Sequence, residues 1–365
     1  MVAPDLDDIS SWRYNLPAEL IASRPAAKRD DSRLMIVRRD SGRIEHAKIR
    51  DLPDLLSADD LLIFNNTKVL PARLFGFRTS TRGKWEGLFL EQLADAHWKI
   101  TGQTRGKLTA GESITLISAH QPGRNHRDQR RQSKTALQLK LVECFADGTW
   151  RVLPSRPGDA ISLLEQFGTL PLPPYIGRKV ADAADQTRYQ TIFAHEPGAI
   201  AAPTAGLHFT PELLRRCAEH GITSSEVTLH VGIGTFRPVS SQKLSEHEMH
   251  SEWGHVPKTS ADSIASARTA GGKIVAVGTT CVRTVEAAAE QGRLANWHGS
   301  TNLFIKPGFK FTVTDQLLTN FHLPGSTLLV LVAALAGYDL TMEAYRQAVA
   351  EQYRFYSYGD AMLIL

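Results

Sequence analysis

Three histidines stand where a chain could do proton chemistry. His208 lies in APTAGLHFTPELL (202–214), just before a helix start that Thr210 caps and Pro211 opens. His230 lies in SEVTLHVGIGTF (225–236), and His250 in EHEMHSEW (246–253). An imidazole titrates near neutral pH, so each can give or take a proton. Each also has a bland reading, a turn filler for His208 and a satisfied core or interface histidine for His230. His247 and His250 look like a metal pair at a glance. They are three apart, however, and a helical HExxH site needs four, so metal binding is not expected. Glu252 joins His250 as a candidate for proton transfer or hydroxyl recognition.

Other residues favour anions and hydroxyls. In KIVAVGTTCVRTVEA (273–287), Thr279 and Thr280 open a helix, where N–H groups point outward, and Arg283 offers a bidentate fork. Cys281 there is either a nucleophile of lowered pKa or a small buried thiol. Thr204 and Gly206 precede the helix that follows His208. Gly232, Gly234 and Thr235 follow a strand, where a ligand or backbone could approach closely. GIGTFR lacks the third glycine of a dinucleotide fingerprint. Asn320 and His322 sit in LLTNFHLPGSTLL (317–329), before a helix capped by Ser326. FNNTKVLPARL (64–74) brings Asn65, Asn66, Thr67, Lys68 and Arg73 to a crossover that is either a hinge or a substrate contact.

The elements that must position these residues alternate. RLMIVRR (33–39), DLLIFNN (60–66), 225–236, 273–280 and TNLFIKPGF (301–309) read as strands. PELLRRCAEHG (211–221), 261–272, 282–292, 326–337 and 342–355 read as helices, with a short one at 15–24. From residue 73 the texture changes to short alternating segments such as GLFLEQL, HWKITGQ and WRVLP. The expected fold is therefore α/β: a body of 1–72 and 158–365 with a mixed, largely parallel, partly open and barrel-like sheet, interrupted at 73–157 by a small all-β barrel. In such sheets ligands gather at the carboxyl ends of strands.

The chain has 365 residues, 42% of them hydrophobic and 22% charged, which suits a globular protein. The net charge of +4 is unevenly spread. Residues 73–157 hold 15 Lys and Arg against 7 Asp and Glu, while the rest of the chain is slightly acidic. RNHRDQRRQSK (124–134) is the densest run. Arg124, Arg127, Arg130 and Arg131 either form a solvated loop or meet a phosphate backbone. Three scattered cysteines fit a reducing compartment. The segment MVAPDLDDIS lacks an apolar run, and STLLVLVAALAG is short of the roughly 20 residues a membrane span needs. A cytoplasmic monomer with no membrane association is expected.

Together FNNTKVLPARLFG, PLPPYI, AAPTAGLHFT, TLHVGIGTFRPV, EHEMHSEW, AVGTTCVRTVEA, LLTNFHLPGSTL and FYSYGDAM resemble, in this order, the S-adenosylmethionine:tRNA ribosyltransferase-isomerases of the queuosine pathway. The resemblance spans about Tyr14 to Met362. It implies an enzyme that uses S-adenosylmethionine as ribosyl donor and no metal. The acceptor would be 7-aminomethyl-7-deazaguanine at the wobble position of a tRNA with a GUN anticodon. The product would be epoxyqueuosine, with adenine and methionine released.

That chemistry needs a base for the carbon beside the sulfonium and an acid for departing adenine. His208 and His230 are the implied candidates, with His250 also placed among the catalytic residues. Thr279, Thr280 and Arg283 would take the methionine carboxylate, and Gly232, Gly234 and Thr235 the adenosyl part. Thr204, Gly206, Asn320 and His322 complete the expected substrate site. Arg73 and the four loop arginines would hold the tRNA. Where the family has FNDTR, this chain has Asn66 and Lys68, and where it commonly has Ser, Cys281 stands. The alternatives are a non-catalytic tRNA-binding protein of the same fold and, more remotely, a metal-dependent hydrolase.

Overall fold

The computed structural model describes residues 4–118, 136–178, 180–232, 234, 241–290, 292 and 294–365. In chain order the strands are β1 (Arg33–Val37), β2 (Ile44–Lys48), β3 (Leu61–Asn65), β4 (Thr67–Val69), β5 (Arg73–Arg78), β6 (Lys84–Gln92), β7 (Trp98–Thr104), β8 (Ser113–Leu116) and β9 (Gln138–Cys144). There follow β10 (Trp150–Pro154), β11 (Gly168–Thr169), β12 (Glu196–Ala199), β13 (Thr223–Leu229), β14 (Glu252–Val256), β15 (Ile274–Val277), β16 (Trp297–Thr301), β17 (Gln316–Asn320) and β18 (Ala361–Ile364). The helices are α1 (Leu52–Leu55), α2 (Ala160–Phe167), α3 (Ala183–Arg188), α4 (Pro211–Glu219), α5 (Lys258–Thr269), α6 (Thr279–Ala288), α7 (Thr327–Ala336) and α8 (Tyr338–Ala350). The chain divides into two units, Met1–Lys68 with Pro173–Gly177 and Thr187–Leu365, and Val69–Leu172 with Arg178–Gln186.

The first unit is built on a nine-stranded sheet of order β16-β14-β13-β3-β15-β17-β18-β1-β2. Its centre, β13-β3-β15-β17, is parallel, as is β18 with β1. The remaining neighbours are antiparallel. Runs such as RLMIV and LLIFN are apolar on both faces because the sheet is covered on both. Leu34, Ile36, Leu62, Phe64, Val275 and Val277 face one core, shared with Leu213 and Cys217 of α4. Met35, Val37, Leu61, Ile63, Ile274 and Ala276 face the other, filled by α5, α6, α7 and α8.

The second unit contains a closed antiparallel barrel, β5-β6-β7-β10-β9-β8, with β8 returning to β5. Alternate residues, among them Trp85, Phe89, Trp98, Ile100, Leu139, Leu141, Trp150 and Val152, fill its core. Gly87 and Gly102 make room for the Trp85 ring, since a Cβ on either would stand 2.2 and 2.8 Å from it. Arg124, Arg127, Arg130 and Arg131 lie outside the described residues, as does Thr235.

Three element expectations need correcting. The strand expected at 225–236 stops at Leu229. The Asn65 amide donates to the Leu229 carbonyl at 3.0 Å, and its Oδ1 accepts from Leu229 and Thr67 N–H at 3.1 Å, so a side chain ends the ladder. The strand expected at 301–309 instead ends at Thr301, and Pro307 with Gly308 (φ +93°) turns the chain after it. The helix expected at 15–24 is a single turn at Ala18–Leu20, because backbone bonds of Leu20 and Ala22 with Phe355 hold the segment extended.

Candidate active site

The carboxyl ends of β15 and β17 open into a cleft of about 600 Å³ with its open mouth included. Gly278 makes its floor possible. Its φ of +99° suits glycine alone, and its N–H donates to the Leu318 carbonyl at 2.8 Å, so α6 begins right at the sheet. Thr279 and Thr280 thus bring the open N–H groups of a helix start into the cleft. Thr204 lines it too, with Thr319 and Asn320 at the end of β17 and His322 just beyond it. Tyr175, Tyr189, Phe321 and Tyr356 supply aromatic walls. Three buried atoms of its lining residues, Tyr189 Oη, Thr280 Oγ1 and Asn320 Oδ1, have no hydrogen-bond partner. Such atoms cost stability unless a ligand meets them.

A second cleft, about 1630 Å³ with its open mouth, shares His322, Leu328 and Tyr356 with the first. Gly234, His250, Glu252 and Arg283 line it. The His250 ring lies against Gly234, where a Cβ would stand 2.2 Å from it. Glu252 bridges: one oxygen accepts the Gly232 N–H at 2.9 Å, and the other pairs with Arg283 Nη1. Both members of this pair are buried. Arg283 Nε donates to the Leu303 carbonyl at 3.2 Å, and Nη2 has no partner. The expected anion grip is therefore already part-committed to an internal carboxylate. Among the described residues no group of three His, Cys, Asp or Glu is placed to hold a metal.

His322 is buried, with Nε2 2.9 Å from Thr319 Oγ1, its N–H donating to Tyr345 Oη at 3.0 Å and its carbonyl accepting from Tyr14 Oη. Burial pushes its pKa down to about 3, so it is neutral. His208 lines neither cleft. It lies behind Asn320, Nε2 to Nδ2 3.3 Å, with its pKa pushed down to about 4, chiefly by burial. His230 is elsewhere again. Its Nδ1 is 2.8 Å from Thr67 Oγ1, and its ring stacks on the exposed Trp253 at 5.1 Å. Burial lowers its pKa, opposed by Glu196. Gly206 serves packing, since a Cβ there would stand 2.9 Å from Thr191 Cγ2.

Cys281 is buried and donates to the Val277 carbonyl at 3.1 Å. Burial pushes its pKa up to about 12, so the thiol stays protonated and packs. Asn66 is a buried hub whose amide donates to Glu226 at 3.2 Å and whose Oδ1 accepts from Thr228 Oγ1 at 2.8 Å. A carboxylate at position 66 would face that of Glu226, which accounts for the amide here. Lys68 is exposed. Arg73 pairs with Glu86 within its own unit. The sequence did not single out Tyr189, nor assign roles to Tyr175 of PLPPYI and Tyr356 of FYSYGDAM, although both motifs were part of the family pattern.

Fold and site define an α/β enzyme that holds its site where parallel strands meet a helix start, with a separate antiparallel barrel. The model of the family described as queuosine biosynthesis protein matches residues 9–364, and the chain belongs to that family. It is 46% identical over 98% of its length to an S-adenosylmethionine:tRNA ribosyltransferase-isomerase of Symbiobacterium thermophilum, covering 99% of that protein. The Thermotoga maritima relative of the same name is 45% identical, with 98% and 99% covered. A crystal structure of S-adenosylmethionine tRNA ribosyltransferase from Thermotoga maritima matches with a TM-score of 0.54 and 36% identity, over 97% of this chain and 100% of that one. It shares the mixed sheet and the closed barrel. No single helix among the described residues is long and apolar enough to cross a membrane.

Proposed function

We propose that this chain transfers the ribosyl part of S-adenosylmethionine to tRNA and isomerises it. The acceptor is the aminomethyl group of 7-aminomethyl-7-deazaguanine in a GUN anticodon, and the product is epoxyqueuosine-tRNA. The sulfonium acidifies the neighbouring ribose carbon; a base removes its proton, and adenine and then methionine leave. The relatives' shared name supports the reaction. One observation carries its location: three unpartnered buried polar atoms, Tyr189 Oη, Thr280 Oγ1 and Asn320 Oδ1, on residues lining one aromatic-walled cleft at the α6 start.

In this reading Thr204, Thr279, Thr280, Asn320 and His322 receive S-adenosylmethionine. Arg283, through Nη2, takes the methionine carboxylate, and Gly232, Gly234 and Thr235 take the adenosyl part. Of the three catalytic candidates His250 is the one lining either of the two clefts described above, and it is assigned the proton transfer. His230, beside exposed Trp253, is assigned to the RNA side. The barrel segment 73–157, through Arg124, Arg127, Arg130 and Arg131, holds the tRNA, with Arg73 secondary because Glu86 engages it. The body of 1–72 and 158–365 is the catalytic domain, and the enzyme works as a cytoplasmic monomer. Incubation with S-adenosylmethionine and tRNA bearing the aminomethyl base is expected to release adenine. Salt-sensitive tRNA binding without adenine would favour the non-catalytic reading.

A further inference from the structure

The three atoms that matter are His208 Nε2, Asn320 Nδ2 and Asn320 Oδ1. Asn320 is buried at the end of β17. Its Nδ2 is 3.0 Å from the Tyr356 carbonyl and 3.3 Å from His208 Nε2. An amide nitrogen has two protons, and these two acceptors, with the Asp360 carbonyl farther off at 3.5 Å, take both. The carbonyl end is thereby fixed in the opposite direction. Oδ1 is buried, unpartnered, and belongs to a residue that lines the first cleft. Oδ1, a carbonyl oxygen, can only accept.

We propose that His208 is a positioning residue: it holds the Asn320 amide so that Oδ1 receives an N–H or O–H donor from the adenosyl half of S-adenosylmethionine. This rests on the function proposed above. For the role, Nε2 must be the bare nitrogen of a neutral ring, and the surroundings secure that. The ring is fully enclosed, and burial holds its pKa near 4. A backbone hydrogen bond with Arg29 favours the protonated ring, as a bond donated by the other ring nitrogen would. The charged groups acting on it are Asp360, Arg354 and Arg29. Asp360 is occupied, accepting from the Arg33 and Arg354 N–H groups at 3.0 and 2.8 Å. Arg29 donates to the Leu207 carbonyl at 2.8 Å and the Gln190 carbonyl at 2.9 Å, which pins the segment carrying His208. Every feature here orients; the imidazole lines neither of the two clefts, only a small pocket beside Arg29, Leu207 and Ser357.

The test measures affinity for S-adenosylhomocysteine, a non-reacting probe, by calorimetry, and kcat/KM for adenine release against pH. His208→Leu and Asn320→Leu are expected to weaken binding on the order of 10–100-fold, the worth of a buried acceptor. His208→Gln keeps an acceptor facing Nδ2 and should restore most of the affinity. The limbs of the pH profile should stay where they are in both His208 variants. Probes lacking the adenine amine (S-inosylhomocysteine) or one ribose hydroxyl identify the donor: the one whose deletion no longer matters in Asn320→Leu is Asn320's partner. Full affinity in Asn320→Leu, or loss of a pH limb in His208→Gln with binding intact, overturns the proposal. If His208→Leu does not fold, as judged by its melt, the Gln and Asn320 variants decide. Wild-type protein that neither binds the probe nor releases adenine would instead sink the function on which the inference rests.

Discussion

The body and the barrel unit treat polar groups in opposite ways. Among the described residues, 24 polar or charged side chains are buried, and only Thr149 and Asp185 belong to the barrel unit. The barrel's core cluster is apolar, and its acids pair with its bases, as in Arg78–Glu112 at 2.6 Å and Lys99–Asp147 at 3.4 Å. Lys84, Arg105, Lys107 and Lys140 are left on its exposed surface. The body instead buries Asn65, His208, Glu252, Arg283, Asn320, His322 and Asp360 around strand ends. The barrel behaves as a stable shape that presents charge. The body gives up packing stability to hold donors and acceptors in fixed directions.

The sharpest way to break this comparison is to remove one arginine from each unit. Arg283→Met strands the Glu252 carboxylate in the interior and should cost about 3–5 kcal/mol in denaturant unfolding. Arg78→Met, beside the more accessible Glu112, should cost about 1 kcal/mol or less. Equal destabilisation of the two variants would end the distinction.

Acid gives the next largest effect, and it should fall on the body. His208 and His322 have folded pKa values of about 4 and about 3, below the ordinary 6.5. Between those values the unfolded chain binds more protons, so stability is full above pH 6.5 and is lost as pH falls, until about 4 and about 3. Each contributes a slope of up to about 1.4 kcal/mol per pH unit. Unfolding midpoints across pH 7 to 4 should show it, and His208→Gln should flatten the curve. An unchanged curve in that variant would refute the assignment.

The smallest structural effect belongs to the basic run at 124–134. Changing Arg124, Arg127, Arg130 and Arg131 to Gln should leave the melt within about 0.5 kcal/mol. The salt dependence of tRNA binding should drop by about 0.7–0.9 for each phosphate no longer neutralised. S-adenosylhomocysteine affinity should not change. An undiminished salt slope would mean that this basic run does not meet the RNA.

The same contrast explains what the sequence made legible. Period-two alternation around Trp85, Trp98 and Trp150 revealed the barrel, because a closed sheet has one inside and one outside. Alternating strands and helices revealed the body and the helix start at Thr279. The end of β13 was hidden, because it depends on an Asn65 side chain 164 residues away from Leu229. The Glu252–Arg283 pair, 31 residues apart, carried no local signal either. His208 was visible as a histidine before a helix, but its burial behind Asn320 is tertiary. Local pattern locates elements; which way an amide points is settled only by what packs around it.

The central claim is that the ribosyl group itself moves to RNA. One turnover with S-adenosylmethionine carrying carbon-13 throughout its ribose tests this directly, with the wobble nucleoside then analysed by mass spectrometry. All five labelled carbons should appear in the modified base, with one adenine released per nucleoside formed. An unlabelled or singly labelled nucleoside, or adenine released without any gain of mass on the tRNA, would contradict it.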